Sequence, residues 1–443
     1  MELIDNIELI DIGRRIRKIR KSKNITLKAL SKKTFSVGKL SNIENGIGSV
    51  DKNDIELICS ALDVPLSEVM KDEETEDIII DINRASASLA IGNVEIAEKI
   101  LKKLQKKITR GSEVEEKFYF TLGELYQHIQ EYDKAILSFM KAITVEGSIR
   151  LRVRAFNAIA CIKYKQGSIN SAIELSTQAL ELGETSLKKS YETALTYLNL
   201  SIFYCYLRNF SLSKRYANLA IGIGERSIAQ KGIYLIAIMG LMQGIDDEID
   251  RKINNSIEYF QRENDLPNLK KALQSRYYLY KDNHKKIKLM LKEAKENIRM
   301  FMSATNWNQN KRFVLDLAHT FAFIAIKEKC YEEARDFLTF ALEVRGEETK
   351  DLDYKTHYLY GSLYREWLKN KEKETFYLRR AVELLPENVS ILEKAIILHE
   401  LFLLEEHNTD SLFIKSSSLF YEFYNQQNKN FEIFNSVILD PQY

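Results

Sequence analysis

EKFYFTLGELYQHIQEYDKAILSFMKAITV, residues 116–145, decides the fold. Counted from Glu116, it places Tyr119, Leu122-Gly123, Tyr126, Ala135, Phe139 and Ala142 at set offsets. The same offsets return from Val153 as Phe156, Ile159-Ala160, Ala172, Ser176 and Ala179. They return again from Ala194 as Tyr197, Leu200-Ser201, Tyr204, Ser213, Ala217 and Ala220. Apolar residues at helical spacing imply two antiparallel helices per unit. The small residues mark where the helices cross closely, and the aromatics fill the space between them. One such pair cannot bury its apolar face alone, so consecutive pairs must stack.

This is the tetratricopeptide pattern, and it extends in both directions. Residues 78–108 form a degenerate first unit through Gly92, Ala97, Leu101 and Leu104. Residues 232–263 and 267–302 keep the length and periodicity but little of the motif. Residues 315–344 fit again through Ala318, Phe321-Ala322, Ala334, Leu338 and Ala341. Residues 355–386 fit through Tyr358, Leu378, Ala381 and Pro386, with Gly361 one place early. A further pair, 389–426, leads to a capping helix. The expected fold is all-α: about nine helical pairs in a right-handed superhelix, its concave face lined by each unit's first helix.

Composition agrees. A chain of 443 residues exceeds one ordinary core, a limit solenoids escape, and only 4 Pro and 17 Gly imply long helices with short turns. Cys59, Cys161, Cys205 and Cys330 fit no metal or redox spacing and read as reduced core residues. Gly222-Ile223-Gly224 is a lone G-x-G, better read as a turn after a helix. The six His make no metal-binding pair, so neither an enzyme nor a cofactor is expected. Met1 to Asp11 carries four acids and no base, unlike a signal peptide, and the apolar run Ile233–Ile245 is too short to span a bilayer. The expected location is cytoplasmic, away from membranes.

Net charge is only +2, yet Ile12 to Ser41 holds eleven Lys/Arg and no acid. A basic block on an otherwise balanced chain is the footprint of nucleic-acid binding, or else a solvated helix face. Residues 1–70 read as a five-helix bundle. Ile12, Ile16 and Ile19 mark the first helix, and Thr26 can cap a second carrying Leu27 and Leu30. Ser36 can cap a third, Val37 to Glu44, stopped by Asn45-Gly46. Asp54–Leu62 and Leu66–Met70 complete it. Residues 71–77, acidic through Asp72, Glu73, Glu74, Glu76 and Asp77, read as a linker or a competitor of DNA for the basic block. Residues 78–443 are then the tetratricopeptide-repeat domain.

IGRRIRKIRKSKNITLKALSKKTFSVGKLSNIENG resembles the helix-turn-helix of the phage-repressor (Xre) type, its LSNIENG ending close to that family's S-x-I-E-x-G signature. Ser31 replaces the usual Ala, and Val50-Asp51 stands where a Pro is often found. The short Leu30–Leu40 spacing is most similar to the PlcR and NprR regulators of Gram-positive bacteria. The resemblance implies a third helix in the major groove, offering Ser36, Val37, Gly38, Lys39, Ser41 and Asn42 to DNA. Arg14, Arg17, Lys18, Thr26 and Lys28 (with Lys32) are the phosphate-side candidates. Glu44 is either a base contact or an internal partner.

Counting along each unit's first helix gives the inner face. The unit from 116 offers Lys117, Phe120 and Gln127, the next offers Arg154, Asn157, Tyr164 and Lys165, and the unit from 194 offers Leu198, Asn199, Ile202 and Tyr206. Later units add His319, Phe323, Tyr360 and Trp367. An Asn amide can donate to one backbone group of an extended peptide and accept from another. Asn157 and Asn199 are thus candidate clamps, or else satisfy neighbouring backbone. Arg154, Lys117 and Lys165 could hold a carboxylate; Leu198, Ile202, Tyr206 and Phe120 could form pockets.

A helix-turn-helix followed by these repeats is similar to the peptide-pheromone receptors of the Rap, Rgg, NprR, PlcR and PrgX group. That implies a quorum-sensing transcription regulator, homodimeric through its repeats, with double-stranded DNA and a short signalling peptide as partners. The alternative is a Rap-like scaffold that sequesters a signalling protein and releases it under peptide control.

Overall fold

The computed structural model describes the chain from Asn6 to Gln442, apart from residues 33, 49, 70–72, 109–112, 146, 245–247, 304–309, 388, 406–408 and 427–438. Met70, Asp72 and Ile245, which the sequence reading used, therefore lie outside the described residues. The chain divides into two compact units, Met1–Ile162 and Lys163–Tyr443.

The first unit opens with α1 (Asn6–Ser22), α2 (Leu27–Ser31), α3 (Val37–Glu44), α4 (Lys52–Leu62) and α5 (Leu66–Val69). Helix α1 starts six residues before Ile12 because Leu9 extends the apolar stripe of Ile12 and Ile16; all three are fully buried. They pack with Leu30, Leu40, Ile43, Ile55 and Ile58. Thr26 and Ser36 cap α2 and α3, their hydroxyls accepting from Ala29 N at 3.1 Å and Lys39 N at 3.2 Å. Helix α1 crosses α3 closely at Gly13, where an added Cβ would sit 2.1 Å from the Ile43 carbonyl oxygen.

The supposed linker is largely helical. Helix α6 (Glu73–Ala90) begins inside it. Carboxylates in a first turn stabilise a helix N-terminus, and Glu73, Glu74 and Glu76 of that acidic stretch stand in the first turn of α6. Helix α7 (Val94–Leu104) follows, then α8 (Glu113–His128) and α9 (Tyr132–Thr144). Small residues stand at the α8–α9 crossing as the pattern requires. A Cβ on Gly123 would lie 2.6 Å from the Phe139 ring, and Ala135 and Phe139 are fully buried. Helix α10 (Ile149–Lys165) runs across the division between the units.

The second unit continues with α11 (Ile169–Ser186), α12 (Tyr191–Tyr206), α13 (Phe210–Ile223), α14 (Arg226–Gln243), α15 (Ile249–Arg262), α16 (Leu266–Tyr280) and α17 (His284–Ser303). Then come α18 (Lys311–Lys327), α19 (Tyr331–Val344), α20 (Asp353–Leu363), α21 (Lys371–Glu383), α22 (Ile391–Leu404) and α23 (Thr409–Gln426). From α6 onward the described helices follow the order of nine pairs, and the stretches 232–263 and 267–302 are helical pairs despite their weak motif. Within this unit α12 packs beside α14, α14 beside α16, α16 beside α18 and α18 beside α20, so first helices share one face. At the α12–α13 crossing Ser201 and Ser213 each donate to the other's carbonyl at 2.7 Å.

Candidate functional site

The residues singled out by sequence fall in the helix-turn-helix bundle and in the repeats of each unit. In the bundle, Arg14, Arg17 and Lys18 are exposed on α1, Thr26 and Lys28 at α2, and Ser36, Val37, Gly38, Lys39 and Asn42 on α3; Ser41 is half-buried. Ser36 and Thr26 spend their side-chain oxygens on caps. Lys39 lies 3.1 Å from both Asp54 carboxylate oxygens and 3.9 Å from the Phe35 ring centroid. With its side chain 43% exposed, that pair is worth about 0–1 kcal/mol, so Lys39 can leave it at little cost. Glu44 is an internal partner. It is buried and accepts from Arg20 Nε at 2.6 Å and Nη2 at 2.8 Å, which fixes the end of α3 against α1.

The inner-face candidates of the first unit are more committed to packing than expected. Phe120 is buried edge-on against Phe139 (5.4 Å between centroids), with the Arg154 guanidinium 4.6 Å from its centroid. That corrects its reading as a peptide pocket: the ring fills the repeat's own core. Arg154 is also 3.7 Å from Glu124, whose carboxyl burial pushes up in pKa while Arg154 opposes the rise. Asn157 is fully buried, and Lys117 and Gln127 are half-buried.

In the second unit Tyr164 packs its ring 5.5 Å from those of Phe203 and Tyr206; Lys165 is exposed, and Leu198 and Ile202 are fully buried. Asn199 does what the sequence reading allowed an Asn to do. Its Nδ2 donates to the Gln442 carbonyl, and its Oδ1 accepts from Gln442 N at 2.7 Å. The backbone it clamps is the chain's own, 243 positions away.

Two further residues at this place were missed. Lys231 on α14 donates to Gln442 Oε1 at 2.9 Å, and Lys271 on α16 donates to Asp440 Oδ2 at 2.8 Å. Burial lowers the Lys231 pKa, while Asp265, 3.7 Å away, holds its charge in place. Lys271 lies in a unit whose faded motif gave no register to count from, and Lys231 stands immediately before the other such unit. Further along the same face is a cleft of ≈ 580 Å³, whose lining includes Tyr277, Asp316, His319, Phe323 and Lys355. There Lys270 pairs with Asp316, and His319 Nε2 lies 2.7 Å from Thr356 Oγ1.

All four cysteines are buried thiols outside any disulfide, and burial pushes the Cys205 thiol up to about 12. Among the described residues no His/Cys/Asp/Glu group could hold a metal ion, and no helix is long and apolar enough to cross a membrane.

The chain thus carries a helix-turn-helix domain joined to tetratricopeptide repeats. The helix-turn-helix family model matches residues 16–69, and the tetratricopeptide repeat model matches residues 116–148. A comparison with curated protein sequences finds no match. Among solved structures the chain is similar to Bacillus thuringiensis PlcR in complex with the peptide PapR7 and DNA. Identity is 18%, with 58% of this chain and 96% of that one covered, at a TM-score of 0.48. It is also similar to the apo quorum sensor NprR of B. thuringiensis (15% identity, 80% and 100% covered, TM-score 0.42). A third is the pheromone receptor Rgg2 of Streptococcus dysgalactiae (13% identity, 61% and 97% covered, TM-score 0.38).

Proposed function

We propose that this chain is a cytoplasmic, homodimeric transcription regulator that binds operator DNA and is gated by a short extended peptide held on its repeat face. The observation that carries the reading is the Asn199 amide, which engages both the N–H and the carbonyl of one residue, Gln442 of the same chain. A side chain that grips the main chain accepts many sequences, and pockets along the face then choose among them. The DNA half rests on an exposed α3 with capped entry and an exposed basic α1. Val37, 43% exposed at the start of α3, suits contact with a thymine methyl, and Asn42 suits a base edge.

Selection of bound duplexes from a random pool tests this. Arg17→Ala or Lys28→Ala should weaken binding to every sequence and lower the salt slope by about 1 each. Asn42→Ala should instead change which duplexes are recovered, at about 1–3 kcal/mol for one position. A preferred site untouched by Asn42→Ala would refute the assignment of α3. Binding indifferent to every extended peptide in a synthetic library would refute gating.

A further inference from the structure

We infer that Leu439–Gln442 is a resident ligand of the repeat face, and that the incoming peptide must share its chemistry and displace it. The inference rests on the reading of that face as a peptide site. It adds which helices form the site, what they read, and what fills it beforehand.

Three successive first helices each hold this segment by one side chain. Asn199 of α12 takes the Gln442 backbone, Lys231 of α14 the Gln442 side-chain amide, and Lys271 of α16 the Asp440 carboxylate. With the segment seated, Asn199 is fully buried and Lys231 is 8% exposed. Leu439 is 1% exposed and Pro441 is buried, whereas Asp440 between them is exposed. Burial thus alternates along the segment, with Leu439 and Pro441 turned against protein while Asp440 and Gln442 are held by their polar groups. Proline fits because it has no N–H to leave unpaired and its φ suits an extended chain. The site therefore takes a peptide of the class apolar–acidic–proline–amide. Its basic residues reject a cationic residue at the acidic position.

A covalently joined ligand acts at an effective concentration on the order of millimolar. A free peptide of micromolar intrinsic affinity must then lose roughly 10- to 1000-fold in apparent affinity to the resident segment. Regulation needs only that the segment and the incoming peptide differ in what they hold together once bound.

The test uses the full chain, a Leu439→Glu variant that unseats the segment, and a chain lacking 439–443. Each is titrated with a labelled synthetic heptapeptide of the sequence Val437 to Tyr443, with circular dichroism verifying that all remain folded. Both altered chains should bind at least ten-fold more tightly than the full chain, and adding Asn199→Ala to either should abolish the gain. Equal binding by all three would overturn the resident ligand while leaving the peptide site standing. If the heptapeptide binds none of them but library peptides bind the shortened chain through Asn199, the inference falls and the proposed function survives. If no peptide binds even the shortened chain, both fall.

Discussion

His319 shows how one side chain sets a pH limit on the repeats. It is 4% exposed, and burial, with Lys355 adding to it, lowers its pKa to about 4. The folded imidazole is neutral, while the unfolded one titrates near ~6.5. As pH falls the unfolded chain takes the proton first, so stability is full above ~6.5 and drains away towards ~4. The loss amounts to about 3 kcal/mol, and His319→Gln should flatten that part of a urea-midpoint profile against pH. An unchanged profile would mean that the ring is wet. Gly123 is a steric case. With a Cβ position 2.6 Å from the Phe139 ring, Gly123→Val should cost about 1–3 kcal/mol, read as a lower unfolding midpoint. Gly222, which has open space around its Cβ position, is the control.

At the scale of elements, the Arg20–Glu44 pair decides whether α3 is held for DNA. The two side chains are 11% and 4% exposed, and Arg20 Nη1 also donates to the Ile25 carbonyl at 2.8 Å. Glu44→Ala leaves a nearly buried guanidinium without its carboxylate, a loss of about 3–5 kcal/mol. Urea unfolding of the variant should show it, and DNA binding should fail for all sequences alike. Retained stability would show that the pair is no more than a surface ornament. Much at this scale was legible in the sequence. The limits of α3 could be read because Ser36 and Asn45-Gly46 are local signals acting within one turn. The early Gly361 was legible as an anomaly but not as a structure. It stands 20 positions before Ala381, where Gly123 stands 19 before Ala142. The extra residue is absorbed in a π-helical turn, Tyr364–Leu368, directly after α20. Lys231 and Lys271 were illegible for the opposite reason: without aromatics and small residues at the motif offsets, no register tells inner from outer. Phe120 was misplaced because counting offsets cannot tell a ring facing the groove from one turned into its own pair. Nor could any local pattern reveal that Asn199 meets Gln442, since nothing in sequence links positions so far apart.

For the molecule as a whole, gating is a claim about coupling, and coupling runs both ways. If a peptide on the repeat face changes operator affinity by some factor, saturating operator must change peptide affinity by the same factor. Known couplings of this kind span about 1–3 kcal/mol, or roughly 5- to 150-fold. Leu439→Glu is the suitable background for the measurement, since the free peptide then does not also pay to evict the resident segment. Peptide dissociation constants measured on that variant with and without operator duplex should differ by at least five-fold. The sign separates the two modes of regulation: tighter peptide binding on operator means that the peptide recruits the protein to DNA, and weaker means that it releases it. Equal constants would leave a DNA-binding domain and a peptide-binding domain sharing a chain without communicating, and the gating proposal would have to be abandoned even with both ligands bound.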